Sequence, residues 1–134
     1  MRYLFLILTA VSFLRGDLYD TGEALFKAKC SGCHPGHIPA DKIKTNFFEQ
    51  NNTLLHLKAP SVNMLVYAIM RGAKKIGDPS DPEMQRMEIE EYLKGYLEHP
   101  DRRESICDPQ IMRHYETKPP IKGLNDEDYE ALAT

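Results

Sequence analysis

The chain of 134 residues contains no tryptophan, only three cysteines and no excess of basic side chains. Three cysteines are too few for the dense disulfide framework of many small secreted domains. With 17 basic against 20 acidic residues, the chain lacks the clustered positive charge that neutralises phosphates, so nucleic acid is not expected as a partner. A mean hydropathy of −0.48 excludes a polytopic membrane protein and agrees with a single globular domain.

The chain has one long apolar run, at residues 3–14, which directly follows Arg2. As a helix this run rises about 18 Å, against roughly 30 Å of bilayer hydrocarbon, which is the length of the hydrophobic part of a secretory signal. We therefore expect residues 1–16 to be a signal peptide that directs the protein to the periplasm or otherwise out of the cytoplasm. The remaining domain, residues 17–134, carries 15 basic and 20 acidic side chains.

The cleavage site of this signal is not defined by the sequence. No triplet of the small-x-small type precedes Asp17, so two alternatives stay open: cleavage near Gly16, or retention of the segment as an uncleaved anchor. Contact with a membrane is expected only in the second case.

Residues 17–134 show the pattern of a helical domain. They contain no sustained alternation of apolar and polar residues, and no Asn-Gly or Asp-Gly pair that would close a β-hairpin. Capping residues and prolines predict helices over residues 20–30, from Ser61 to a stop at Gly72, over residues 83–99, briefly after Asp108, and after Asn125. The predicted fold class is all-α.

The most informative segment is Cys30-Ser31-Gly32-Cys33-His34, at the end of the first predicted helix. Two thiols separated by two residues can each add to one vinyl group of a haem, and the adjacent imidazole can then bind the iron. This is the attachment motif of c-type haem, and it gains weight from the export signal upstream, because attachment takes place outside the cytoplasm. The motif predicts haem c as the cofactor, bound covalently by Cys30 and Cys33, with His34 as the proximal axial ligand of the iron.

Three other uses of the paired cysteines compete with haem attachment. The first is a structural disulfide beside an incidental histidine, in a haem-free module. A zinc site would need a second pair of ligands at short spacing, whereas Cys107 stands alone. A thioredoxin-type redox pair would need a βαβ setting that the sequence does not offer.

The segment around this motif resembles the class I cytochromes c. Gly22, Phe26 and the Cys30, Cys33 and His34 motif match that family's first-helix signature, in which a glycine and an aromatic residue four positions later pack against the final helix. The resemblance implies a small helical domain wrapped around one covalent haem, with a methionine as the usual distal ligand of the iron. It also implies transfer of single electrons between protein redox partners.

The distal ligand is where the sequence departs from the family. The family's methionine sits in a loop about 16 residues before an aromatic residue of the last helix, and no methionine stands at that distance before Tyr92 or Tyr96. The segment 118–128 resembles the ligand loop and the start of the last helix, with Lys118 at the methionine position. The family's aromatic residue would then fall at or beyond Thr134, so the resemblance predicts a chain shortened at its C-terminus.

Several distal arrangements stay open. Lys118 can bind iron only after it loses its proton, against a reference pKa near 10.4. Met112 needs no deprotonation but lies outside the family's register. His114, a bound water or an open position are the further alternatives, and a solvated Lys118 beside five-coordinate iron is the competing structural interpretation.

The sequence thus predicts a monohaem c-type cytochrome that carries electrons between respiratory partners, without requiring catalysis. The alternative is a haem enzyme or a small-ligand sensor, peroxidase-like or gas-binding, with an exchangeable distal position. No histidine and arginine pair stands out that could be assigned to O–O cleavage.

Overall fold

A computed structural model describes the backbone of residues 2–134 and the side chains from Gly16 onward. Six α-helices follow one another: α1 (Arg2–Lys29), α2 (Ala40–Lys44), α3 (Val62–Arg71), α4 (Pro82–Glu98), α5 (Pro109–Met112) and α6 (Asp126–Ala133). A single π-helical turn, Thr45–Glu49, continues α2, and a 3₁₀ turn, Arg102–Glu104, precedes α5. No strand occurs between residues 2 and 134, so the all-α prediction is confirmed.

The predicted boundaries agree with four of the helices. Ser61 and Gly72 flank α3, and Asp108 caps α5 by accepting a hydrogen bond from the amide of Gln110. Asn125 and Asp128 form a reciprocal capping box at the start of α6, as their spacing allows. The fourth helix, α4, begins one residue before the predicted start, at a proline, a residue that fits the first turn of a helix.

The first helix differs from its prediction. Residues 20 and 21 do not begin a helix, because α1 already runs continuously from Arg2 to Lys29. The residues before Asp20 include leucine, alanine and other good helix formers and no proline, so the helix is not interrupted there. Asp20 and Thr21 therefore lie inside the helix and do not cap its start. The predicted export signal, residues 1–16, lies almost wholly outside the residues whose side chains are described. No helix within the described part has the length and apolarity that crossing a bilayer requires.

Helices α1, α4 and α6 form the main packing unit. A Cβ atom added to Gly22 of α1 would lie 2.0 Å from the carbonyl oxygen of Ala131, so the two helices cross in backbone contact. Tyr129 of α6 is buried, and its hydroxyl donates to a carboxylate oxygen of Glu98 in α4 at 3.2 Å. The final helix that packs on the first is therefore α6, the second of the two segments that the sequence offered.

A second cluster joins the middle of the chain to the segment after α5. Phe47, Leu57 and Tyr115 are buried together, and the rings of Phe47 and Tyr115 meet edge to face with centroids 6.0 Å apart. The side chain of Asn46, which precedes Phe47, is also buried. It donates to the Asn52 side-chain oxygen at 2.9 Å and accepts from the Leu55 amide at 2.8 Å. These bonds fix the loop that leads to α3.

Candidate haem-attachment site

The cysteine motif forms a helical turn that continues α1. The amide of Cys30 donates to the carbonyl of Phe26 at 2.8 Å, and the amides of Cys33 and His34 both donate to the carbonyl of Cys30, at 3.0 and 2.9 Å. Residues three and four positions apart in such a turn share a face. Both cysteines and the histidine therefore lie on one side of the turn, as thioether formation and iron binding by one haem require.

The imidazole of His34 is oriented by a residue far along the chain. Its Nδ1 atom lies 2.7 Å from the carbonyl oxygen of Pro60, 26 residues away. A carbonyl can only accept, so Nδ1 carries the proton and Nε2 keeps a lone pair available for a metal ion. A second hydrogen bond that fixes the tautomer and direction of the ring is the usual arrangement behind a metal-binding histidine.

The surroundings of the imidazole favour its neutral form. Burial lowers the pKa of His34, the hydrogen bond to Pro60 opposes that shift, and the positive charge of Lys118 lowers the pKa further. The ring of Phe26 lies beside it with centroids 6.2 Å apart. A neutral imidazole is the form that coordinates a metal ion.

The two thiols differ in their surroundings. Cys33 is exposed, whereas Cys30 is half-buried and its pKa is raised by that burial. Neither sulfur is joined in a disulfide. In the described part of the chain no three histidine, cysteine or acidic side chains converge in a way that could hold a metal ion, which a structural zinc site would need.

The segment that resembles a ligand loop is anchored to α4. The amide of Ile121 donates to the carbonyl of Leu97, the next-to-last residue of that helix, at 2.9 Å. Lys118 precedes this anchor and is half-buried, and its charge is felt at His34. The structure therefore brings Lys118 within electrostatic reach of the predicted proximal ligand.

The other two candidate ligands occupy a different environment. Met112 is partly buried against the cluster of Phe47 and Tyr115. The ring of His114 lies 5.5 Å from that of Phe47, and its Nε2 atom is 3.2 Å from the guanidinium Nε of Arg113. Both side chains already have packing or hydrogen-bonding partners within the fold.

Compared with protein-family models, curated protein sequences and solved structures, the chain has no match. Its function therefore has to be argued from the chemistry of its own residues.

Two features of the site had no signal in the sequence. The Pro60 carbonyl is a backbone group, so only the folded chain shows that it faces His34. The second feature is that Ser61 and the segment before α3 are tied to the turn after the motif, because the amide of Val62 donates to the carbonyl of Pro35 at 2.9 Å. The sequence shows Pro60 directly before Ser61, but it does not indicate which residues this pair contacts.

Proposed function

We propose that the protein is an exported monohaem c-type cytochrome that transfers single electrons between redox partners. Cys30 and Cys33 would hold the haem through thioether bonds, and His34 would bind its iron through Nε2. The observation that carries the proposal is the hydrogen bond from His34 Nδ1 to the Pro60 carbonyl, beside two unpaired thiols on the same face of one turn. When bound, haem iron supplies reversible one-electron oxidation and reduction.

The small protein core supports a large apolar cofactor. From residue 16 onward, eight hydrophobic residues are buried: Phe47, Leu57, Ala59, Ala68, Ile76, Tyr115, Tyr129 and Ala131. Three of the eight are alanines, which contribute little apolar area. On α3, which begins two residues after Pro60, Val66 and Tyr67 are 53% and 63% exposed. A flat apolar ring system near His34 would cover such surface and complete the core, at roughly 25 cal/mol for each Å² buried.

On the distal side, we propose Lys118 as the leading ligand and keep Met112 as the alternative. Lys118 stands where the resemblance places the methionine, and its charge acts on His34. Loss of a thioether ligand lowers the reduction potential relative to a cytochrome with methionine and histidine ligands. Such a protein would serve partners at the low-potential end of an electron-transfer chain.

A second candidate function is a haem enzyme or a sensor of small ligands. It is favoured by one observation: residues 118–123 contain no methionine, and the nearest one, Met112, is packed in the Phe47 cluster. An exchangeable lysine or water in the distal position would let an external ligand reach the iron.

The test is pyridine haemochrome spectroscopy on protein matured in a host that attaches c-type haem. We expect one haem per chain that survives denaturing electrophoresis. Replacing Cys30 and Cys33 with alanine should remove this haem, whereas Cys107→Ala, the matched control, should keep it. Covalent haem in the double variant, or its absence from the unaltered protein, would show that the assignment is wrong.

A further inference from the structure

An open cavity lies between the end of α3 and the segment that contains the 3₁₀ turn and α5. Its volume is about 230 Å³. Three cations, Lys74, Arg102 and Arg113, line it, together with the buried hydroxyl of Ser105. These three residues are far apart in sequence and meet only in the folded chain.

None of the three cations has a carboxylate partner within residues 16–134, although the chain as a whole is acidic. The five ion pairs of that region use other basic residues, among them Lys27, Arg86 and Lys94. The three side chains are exposed, so water screens the repulsion between them, and an anion in the cavity would be attracted to all three positive charges at once.

Two carboxylates close to the cavity along the chain accept hydrogen bonds from groups that do not line it. Asp101 accepts from Arg103 through both carboxylate oxygens, Oδ1 from Nε at 3.2 Å and Oδ2 from Nη2 at 2.7 Å, and that side chain lowers the pKa of Asp101 to about 2. Asp108 accepts a hydrogen bond from the amide of Gln110 at 2.7 Å, as the cap of α5. Neither of these two carboxylates forms an ion pair with a cation that lines the cavity.

The cations themselves are held in place with donors to spare. The Lys74 ammonium donates to the carbonyls of Arg103 and Ser105, at 3.0 and 3.2 Å, which leaves one of its three N–H groups. Arg102 donates through one Nη to the carbonyl of Met112, and Arg113 contacts His114 through Nε. Each guanidinium has five N–H donors, so both retain the paired groups that bind carboxylate or phosphate oxygens.

We propose that this cavity binds a small multivalent oxyanion, of the di- or tricarboxylate or phosphate class. Bonds to backbone carbonyls position Lys74 and Arg102, and Arg113, held through Nε by His114, presents its two Nη groups to the anion. The site involves neither the cysteine motif nor Lys118, so its test can be read without the haem; it shares only the lining residue Met112 with the alternative distal ligand.

The test is isothermal titration of the full chain with citrate, pyrophosphate and inorganic phosphate, at constant ionic strength. We expect saturable binding with one site per chain, tightest for the probe with the most oxyanion groups that fit. Arg113→Gln should weaken binding at least about tenfold, because a hydrogen bond to a charged group is worth on the order of one tenfold step or more. Lys74→Gln should weaken it similarly.

The matched control is Lys42→Gln, which removes one positive charge from an exposed position on α2, away from the cavity. It should bind the probes as the unaltered protein does. Equal weakening in Lys42→Gln would mean that only net charge matters, and would overturn the site. So would unchanged affinity in Arg113→Gln and Lys74→Gln, or the lack of saturable binding for all three probes.

Discussion

At the scale of single residues, the chemistry depends on which group faces His34. The Pro60 carbonyl accepts a hydrogen bond from Nδ1 and so fixes the orientation of the ring, and the charge of Lys118 lowers the pKa of the imidazole. Lys118 is half-buried and lies three residues before Ile121, whose amide anchors the loop to α4. A lysine in this position can serve as an iron ligand only as the neutral amine, so its binding is tied to pH.

Lys118 provides the first test at this scale. In the ferric haem protein we expect the near-infrared charge-transfer band to lack the position typical of a methionine ligand. Acid should change the spectrum, because a released amine is protonated and cannot rebind. Lys118→Ala should abolish this acid-linked change, and Lys118→Met should raise the reduction potential.

The matched control is Lys122→Ala, which removes an exposed lysine from the same loop and should leave spectrum and potential unchanged. A methionine-type band that persists in Lys118→Ala but is lost in Met112→Ala would make Met112 the ligand instead.

At the scale of helices, the fold depends on the crossing of α1 and α6. Gly22 lets the two backbones touch, and the capping box of Asn125 and Asp128 sets where α6 begins. Two ion pairs, Arg86 with Glu130 and Lys94 with Asp126, link α6 to α4 along its exposed edge. Exposed pairs of this kind contribute at most about 1 kcal/mol each, so close packing carries most of the stability of this unit.

Gly22→Ala is the test of that packing. Its Cβ would meet backbone rather than a movable side chain, so the helices must separate. We expect the free energy of unfolding to fall by about 1–3 kcal/mol, beyond the gain of up to about 1 kcal/mol that alanine brings to a helix. Urea denaturation followed by circular dichroism measures the change.

The control for Gly22→Ala is Gly95→Ala in α4, where an added Cβ would have no neighbour within 4 Å. It should be neutral or stabilising by up to about 1 kcal/mol. Equal effects of the two substitutions would contradict the close approach of α1 and α6.

Much of this helical layout could be predicted from the sequence, and some of it could not. Caps such as Asn125 and stops such as Gly72 act through neighbouring backbone, so local residues define them. The sequence predicts a helix start at Asp20 and Thr21 instead of the continuous α1, because such polar residues are typical of a cap whether or not a helix already precedes them. Which segment packs on Gly22 is a long-range contact, and the sequence contains two candidates for the last helix, residues 83–99 and the segment after Asn125.

The same limit applies to the candidate site. Cys30, Cys33 and His34 are neighbours, so their spacing alone placed them on one face. The Pro60 carbonyl has no side-chain signature, and the three cations of the oxyanion cavity share no sequence pattern. Groups brought together only by tertiary folding are invisible to periodicity and motif.

At the scale of the whole molecule, ionisable groups cluster between α4 and the segment after it. Burial raises the pKa of Tyr92, Tyr96 and Tyr115, and also that of Cys107, whose charge would act on all three phenols. In the unfolded chain these groups lose their protons at lower pH than in the folded protein. Their contribution to stability is therefore present below the unfolded pKa, near 10 for tyrosine, and is lost as the pH rises above it.

We expect the protein to unfold cooperatively in alkali, with tyrosinate absorbance appearing together with loss of helical circular dichroism. Tyr115→Phe removes a buried hydroxyl that has no partner among the described residues, so it should move the alkaline midpoint to higher pH. Tyr19→Phe changes an exposed tyrosine of α1 and should leave the midpoint in place. Tyrosinate formation well before any loss of helix would contradict the proposed linkage.

The 26 residues that separate His34 from Pro60 imply an order of events in time. Cys30 and Cys33 approach each other through a single local turn, which short chains form within microseconds. The imidazole is oriented only after a loop has closed and α3 has docked, a slower step with a larger entropic cost. In the proposed cytochrome, the thiols of a newly exported, still unfolded chain would therefore be ready for attachment before the imidazole is oriented.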